Sequence, residues 1–389
     1  MYLIKNAQTY APEYIGIKDI LICGGVVEKI ADSIKIDTNA NVEVIDAAGL
    51  IAVPGFVDNH VHITGGGGEG GFATRTPEIT LTQITTAGIT TLIGLLGTDG
   101  IARDLGGLVA KVNALKLEGV SAYAMTGAYQ VPAPNLTGST KSDIMFVDPI
   151  IGSGEIAISD HRSSQPSFQE IIRIISETRV AGMLSGKAGV TILHLGDGKA
   201  GLKYLNRMRE ETELPLSCVL PTHISRNNAL LDEGIDYAKS GGYIDFTACP
   251  EDTSVLDERE LPAWDAIRVA LNAGVSIDHI TMSSDGQGSM PLFDRDKNYL
   301  GIGVGTVDAL HYSFVRMVKS GMPIETALRP ITSSPAALFK LKQKGHIAEG
   351  MDADITLLSK SGLEVDTVLA KGRLMVHEGK PIVKGTFEH

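Results

Sequence analysis

His60 and His62 stand one residue apart at the end of a short apolar segment, Val53-Pro54-Gly55-Phe56-Val57-Asp58-Asn59-His60-Val61-His62. Side chains alternate faces along a strand, so the two imidazoles point the same way. Two imidazoles on one face at the carboxyl end of a buried strand can chelate one divalent cation. A lone His-x-His pair is weak evidence, and its weight depends on the rest of the chain. His194 closes the run Gly189-Val190-Thr191-Ile192-Leu193, and His223 closes Ser217-Cys218-Val219-Leu220-Pro221-Thr222. Asp285 follows Ile280-Thr281-Met282-Ser283-Ser284. Four imidazoles and one carboxylate exceed one closed tetrahedral site and suit two adjacent metals that need a bridge. Taken singly, each later histidine reads equally as a core or surface residue. Their joint placement at strand ends carries the metal reading. His161, His279, His311, His346, His377 and His389 lack that placement and read as structural or surface residues.

The elements that must position these groups follow from the pattern around them. Between about 53 and 345, strand-like runs such as Thr90–Leu96 alternate with helical periods such as Ile171–Thr178. Metal-competent residues at the carboxyl ends of separate strands are the signature of a (β/α)8 TIM-type barrel. A doubly wound sheet would gather its ligands at one switch point instead. A barrel of about 250 residues allots about 31 residues to each strand–helix unit. At that spacing His60, Glu155, His194, His223 and Asp285 fall on strands 1, 4, 5, 6 and 8. Both chain ends differ from the middle. Ile20–Cys23, Gly24-Gly25 and Val26–Ile30 read as strand, turn, strand, and residues 353–358, 368–370 and 373–377 are short strands split by glycine turns. The expected organisation is a small β-sandwich domain built from residues 1–52 plus 346–389, around a metal-dependent hydrolase barrel at 53–345.

Composition excludes several classes. The chain has 389 residues, 43% hydrophobic, which supports a large buried core. With 44 glycines and 5% aromatics it suits tight loops between aliphatic strands. A net charge of -12 and no basic cluster argue against nucleic acid as a partner. Three widely spaced cysteines, Cys23, Cys218 and Cys249, argue against a disulfide framework and for a reducing cytoplasm. The start Met1-Tyr2-Leu3-Ile4-Lys5-Asn6 lacks the shape of a signal peptide, and no apolar run reaches the ~20 residues of a membrane span. A cytoplasmic protein that does not engage membranes is the expectation.

The segments Ile45-Asp46-Ala47-Ala48-Gly49, Val53–His62 and Gly350-Met351-Asp352-Ala353-Asp354-Ile355 resemble the amidohydrolase superfamily. Within it the chain resembles the isoaspartyl (β-aspartyl) dipeptidases. That likeness is carried by Gly65–Gly71, Thr126–Pro132, Ile158–Ser164, Pro221–Asn227 and Ser283–Ser289, and it extends over essentially the whole chain. The resemblance implies two Zn2+ per subunit, one held by His60, His62 and Asp285 and the other by His194 and His223. It also implies a metal-bridging hydroxide that attacks the scissile amide, with Asp285 as general base and then acid. Tyr129 would donate a hydrogen bond to the developing oxyanion. In this family a carbamylated lysine usually bridges the metals, and the matching position on strand 4 here is Glu155, with one extra residue just before it.

A β-aspartyl dipeptide carries one ammonium and two carboxylates. Glu69, Arg162 and Arg226 supply the complementary set, since arginine forks match carboxylates in bidentate geometry. Glu69 lies in a glycine-rich loop that permits close approach to a ligand and lacks the lysine of a phosphate cradle. Thr98 and Ser289 are further hydroxyl candidates for holding a carboxylate. The competing activities are those of an N-acyl-amino-acid deacylase or a cyclic-imide hydrolase. A deaminase is disfavoured, because His223-Ile224-Ser225-Arg226 stands where a His-x-x-Glu helper would be needed. A metal-less scaffold relative is disfavoured by the intact ligand set. By family analogy the chain forms a homo-oligomer, an octamer in many members.

Overall fold

The computed structural model describes residues 1–36, 41–250, 260–293 and 298–388. The chain opens with β1 (Tyr2–Tyr10), β2 (Tyr14–Cys23), β3 (Val26–Ala31), β4 (Glu43–Asp46) and β5 (Leu50–Pro54). β1 runs antiparallel to β2 on one edge. On its other edge it changes partner, pairing parallel with β4 through Tyr2–Lys5 and with β5 through Gln8–Thr9. The change lets the sheet curl round its own core of Ile4, Ile20, Ile22, Val27, Ile355 and Leu357.

Eight parallel strands follow: β6 (Phe56–Val61), β7 (Ile89–Gly94), β8 (Ser121–Thr126), β9 (Ile150–Ile158), β10 (Thr191–Leu195), β11 (Val219–Thr222), β12 (Ile244–Thr247) and β13 (Ile280–Ser283). β6, β7, β9, β10, β11 and β13 are buried along their whole length. Helices cover the outside and side chains fill the inside, so these strands read as continuous apolar runs rather than alternating ones. The helical period at 171–178 belongs to a longer helix, Phe168–Ser185. A reciprocal Ser167–Glu170 capping box starts it, and Gly186 ends it in the left-handed conformation, φ 71°.

β6 to β11 form one hydrogen-bonded parallel sheet, and β12 pairs with β13. The ring meets at two seams with little backbone bonding. Between β11 and β12, Ile224 N donates to Asp245 O at 3.3 Å. Between β13 and β6, His62 N donates to Gly286 O at 2.9 Å and Ser284 N to Asp58 Oδ1 at 3.1 Å. Side chains reinforce both seams through Asp245 on β12, which is fully buried. Its carboxylate accepts from Asn59 Nδ2 (3.1 Å), Thr222 Oγ1 (2.7 Å), Thr281 Oγ1 (2.5 Å) and Ser283 Oγ (2.6 Å). Four donors satisfy the buried charge without a cationic partner.

After β13 the hairpin β14 (Ser289–Phe293) and β15 (Tyr299–Val304) follows the carboxyl end of the last barrel strand. The chain then returns to the first sheet as β16 (Ile355–Ser359), β17 (Val365–Ala370), β18 (Arg373–His377) and β19 (Lys380–Pro381). β16 pairs antiparallel with β5, setting Ile355 opposite Pro54. The joined order is β19-β18-β17-β16-β5-β1-β2-β3. Just before β16, buried Lys344 bonds Asp352 at 2.7 Å and Asp354 at 2.5 Å. Burial raises the Asp354 carboxyl despite the lysine beside it.

Four histidines outside the strand-end set have structural partners. His279 bonds the Gly242 carbonyl, His311 that of Leu363, His346 that of Ala11, and His377 the Thr367 hydroxyl. His161 is exposed, and His389 lies outside the described residues. No helix among the described residues is long and apolar enough to cross a membrane.

Candidate metal centre

The five strand-end residues and Glu155 converge at the carboxyl ends of β6, β9, β10, β11 and β13. Glu155 is the centre of the group. Its Oε2 lies 3.0 Å from His194 Nδ1, 3.4 Å from His60 Nε2 and 3.6 Å from His223 Nε2, and its Oε1 lies 3.4 Å from His62 Nε2. Asp285 Oδ1 lies 3.0 Å from His62 Nε2 and 3.6 Å from His60 Nε2. Two ligand sets emerge, His60–His62–Asp285 and His60–Glu155–His223, each with its atoms within 4.8 Å of one another. His194 falls outside both sets and reaches the centre through Glu155.

The backbone shows why Glu155 arrives there. β9 sets Ser153 opposite Thr191 but Ile156 opposite Leu193, one residue more than β10 supplies. The extra residue forms a bulge, and bulges re-aim side chains at such sites. Gly154 makes it possible: φ is +133°, and a Cβ there would sit 2.6 Å from the Ile192 carbonyl oxygen. Gly97, after β7, leaves room for the cluster, since a Cβ would fall 2.7 Å from the His62 ring and 3.4 Å from Glu155 Oε1. His223 and Asp285 adopt left-handed backbone at φ 63° and 51°, a conformation that costs about 1 kcal/mol or more and concentrates at functional sites.

These residues fit a metal. Both ring nitrogens of His60, Nδ1 of His62, Nε2 of His223 and Oδ1 of Asp285 are buried without a hydrogen-bond partner. Such groups are costly unless a ligand completes them. Burial alone would lower the His60 imidazole, yet Glu155, Asp285 and Asp245 carry it from 6.5 up to about 9. Burial would raise Asp285, yet His62 and His60 hold it at about 2. His60, His194 and His223 hold Glu155 well below the usual carboxylate range against the effect of burial. His223 goes the other way, down to about 3, through burial and the neighbouring Arg226 charge. The pocket therefore favours positive charge between His60, Glu155 and Asp285. His223 Nδ1 contacts Thr247 Oγ1 at 2.6 Å, which leaves Nε2 facing the centre.

Around this centre lie the recognition candidates. Glu69 Oε1 accepts from Thr98 Oγ1 (3.0 Å), Ser289 Oγ (2.9 Å) and Arg162 NH1 (3.2 Å), while its buried Oε2 has no hydrogen-bond partner. Thr98 and Ser289 thus hold the protein's own carboxylate. Arg162 is also gripped by Asp160, whose Oδ1 accepts from Arg162 N (2.7 Å) and Nε (3.1 Å) and whose Oδ2 accepts from NH2 (2.8 Å). Burial raises the Tyr129 hydroxyl well above 10, so it remains a donor; it lies 2.8 Å from His194 Nδ1. Arg226 has a buried Nε without a hydrogen-bond partner. Arg103 donates to the carbonyls of Thr64 (2.7 Å) and Thr76 (2.6 Å), fixing both ends of the Glu69 loop. Sequence reasoning assigned no role to Asp160, Arg103, Thr247 or Asp245. For Asp160 a signal existed in its place two residues before Arg162 at a strand end.

The amidohydrolase family model matches residues 218–375. The structure of a β-aspartyl dipeptidase from Fervidobacterium islandicum AW-1, in complex with the β-Asp-Leu dipeptide, superposes with a TM-score of 0.93. The two are 44% identical, over 98% of this chain and 97% of that one. The chain belongs to the β-aspartyl dipeptidase family. A second structure of the Fervidobacterium β-aspartyl dipeptidase gives a TM-score of 0.90 at 43% identity over 98% of both chains. The family's fold is shared more widely: a D-hydantoinase structure superposes at 0.68 with 19% identity over 99% of this chain and 97% of that one. Among curated proteins, a dihydroorotase from Elusimicrobium minutum is 27% identical over 92% of this chain and 88% of its own length. The (β/α)8 fold with an added β-domain, expected from the sequence, is that of the family.

Proposed function

We propose that this protein hydrolyses β-aspartyl dipeptides with the help of two metal ions, taken to be Zn2+. The observation that carries the reading is its near-complete superposition, at 44% identity, on a β-aspartyl dipeptidase that holds β-Asp-Leu. The site supports it with one anion and two cations beside the ligand cluster. The free Oε2 of Glu69 is an acceptor for the substrate ammonium, and Arg162 and Arg226 are forks for the two carboxylates. His60, His62 and Asp285 would hold one metal, His194 and His223 the other, with the two oxygens of Glu155 between them. Bound there, the metals supply an activated water and polarise the scissile carbonyl. Asp285 takes the proton of the attacking water and returns it to the leaving amine. The Tyr129 hydroxyl donates to the carbonyl oxygen as negative charge develops on it.

The sheet built from both chain ends (1–52 plus 346–389) is read as a small domain beside the barrel (53–345), although its β5 runs on to Pro54 and its Leu358, Val368 and Met375 share the barrel's core cluster. A homo-oligomer follows from family analogy, and exposed Val180, Met183 and Leu184 on one helix offer apolar surface for it. The three free cysteines suit the cytoplasm.

The test compares turnover of β-Asp-Leu, α-Asp-Leu and dihydroorotate, with metal content measured in parallel. An α-linkage moves the amine relative to the scissile carbonyl, and such misplacement costs ~10²-fold in rate. Strong preference for β-Asp-Leu is expected. Equal turnover of the two dipeptides, or activity on dihydroorotate alone, would refute the reading.

A further inference from the structure

His194 stands between two carboxylates. Its Nδ1 lies 3.0 Å from Glu155 Oε2, and its Nε2 lies 3.0 Å from Asp160 Oδ2. A neutral imidazole has one N–H for these two acceptors, so one ring nitrogen must turn a lone pair toward a carboxylate. A cation on the Glu155 side resolves the conflict, because Nδ1 then becomes a ligand and Nε2–H donates to Asp160. Metal-bound histidines commonly use their second nitrogen in this way.

Asp160 has a second task. It accepts three hydrogen bonds from Arg162, one from the backbone and two from the guanidinium, and so fixes the fork that faces Glu69. Oδ2 is shared between Arg162 NH2 and His194 Nε2, which are themselves 3.3 Å apart. The residue is buried, so water does not compete for these bonds.

We propose that Asp160 is a positioning residue that sets the tautomer of His194 for metal binding and the orientation of Arg162 for substrate binding. One carboxylate thereby joins the metal centre to substrate recognition. The inference rests on the two-metal dipeptidase reading and adds to it a residue that touches neither metal nor substrate.

Asp160→Asn makes the distinction sharp because it preserves shape. If the amide keeps its oxygen on the Arg162 N and Nε donors, its NH2 faces His194 Nε2, which must accept, and also meets the Arg162 NH2 donor. The imidazole proton then moves to Nδ1 and blocks the ligand position. If the amide flips, its NH2 meets two Arg162 donors. The first orientation disturbs both arms of the network and the second the Arg162 arm.

The experiment titrates apo-protein with chelator-buffered Zn2+ and counts bound equivalents by atomic absorption, beside KM for β-Asp-Leu. In D160N the equivalent at His60, His62 and Asp285 should stay tight, which also reports that the barrel is folded. The second equivalent should weaken by about 10–100-fold, the usual effect of losing such a partner. KM should rise about 10-fold or more, and Arg162→Met should raise KM while keeping both equivalents. The KM effects of D160N and R162M should be non-additive in the double variant, because both act on one fork. Two wild-type-affinity equivalents in D160N, loss of both together, or loss of the second in R162M would overturn the proposal. A wild-type protein that takes up one equivalent instead overturns the two-metal reading itself.

Discussion

Replacing Glu155 by glutamine removes one charge from the middle of the cluster and little else. Glu155 is 1% exposed and its two oxygens face four imidazoles. Its electrostatic worth can be read from His60. Burial works against a charged imidazole, yet that ring is carried from 6.5 to about 9, with Glu155 the largest favourable influence. That net displacement, to which Asp285 and Asp245 also contribute, corresponds to about 3 kcal/mol in favour of one positive charge at this spot. A divalent cation gains at least as much, so E155Q should weaken metal binding by about 100-fold or more. Dialysis against buffered Zn2+ should show the variant losing metal, and β-Asp-Leu hydrolysis should fall in step. Because a carboxylate needs no carbamylation, wild-type apo-enzyme should regain activity with metal alone, without bicarbonate. The reasoning is refuted if E155Q keeps its full metal complement and rate, or if wild-type reconstitution requires bicarbonate.

Two other perturbations separate chemistry, capture and stability. Tyr129→Phe should lower kcat by about 10²–10³-fold with KM little changed, whereas Arg226→Met should chiefly raise KM, since its carboxylate partner is present before and during reaction. Steady-state kinetics on β-Asp-Leu decides, and full kcat in Y129F or unchanged kcat/KM in R226M would contradict the assignments. Lys344→Ala leaves Asp354 buried without its cation, which should cost about 3–5 kcal/mol and lower the thermal midpoint by about 4–6 °C; a midpoint shift under 1 °C in a calorimetric scan would show that the ion pairs contribute little.

The histidines and the aspartate proposed as metal ligands were legible in the sequence because each sits at the end of an apolar run, a local signal that survives without tertiary information. The helical period at Ile171–Thr178 was legible for the same reason, whereas the full span Phe168–Ser185 and its Ser167–Glu170 box came from the structure. Glu155 was harder, because the bulge at Gly154 displaces it by one residue from the spacing a regular strand would give. Arg162, seven residues along the chain, does not pair with it. The structure instead gives Arg162 to Asp160 and Glu69. Lys187 donates to the carbonyls of Ile144 and Val147. Asp160 and Asp245 were illegible because their meaning lies in partners far along the chain. Asp245 sits on a strand that carries no candidate ligand, and its donors come from β6, β11 and β13. Thr98 and Ser289 were recognised as hydroxyls for a carboxylate, but sequence could not reveal that the carboxylate is Glu69.

The pairing of β5 with β16 has a consequence for how the site assembles. The last barrel seam joins Asp58 to Ser284, 226 residues apart. Closing a free loop of that length costs about 5 kcal/mol of chain entropy beyond a constant. The sheet of chain ends faces a similar cost when Pro54 meets Ile355. The two closures lie side by side on the chain, four residues apart at one end and roughly 70 at the other, so whichever forms first shortens the loop left for the second to about 75 residues and spares it about 1 kcal/mol. The outer sheet is therefore a clasp. It shortens the search by which His60 finds Asp285, and removing its C-terminal strands would impair metal loading although none of them reaches the metal.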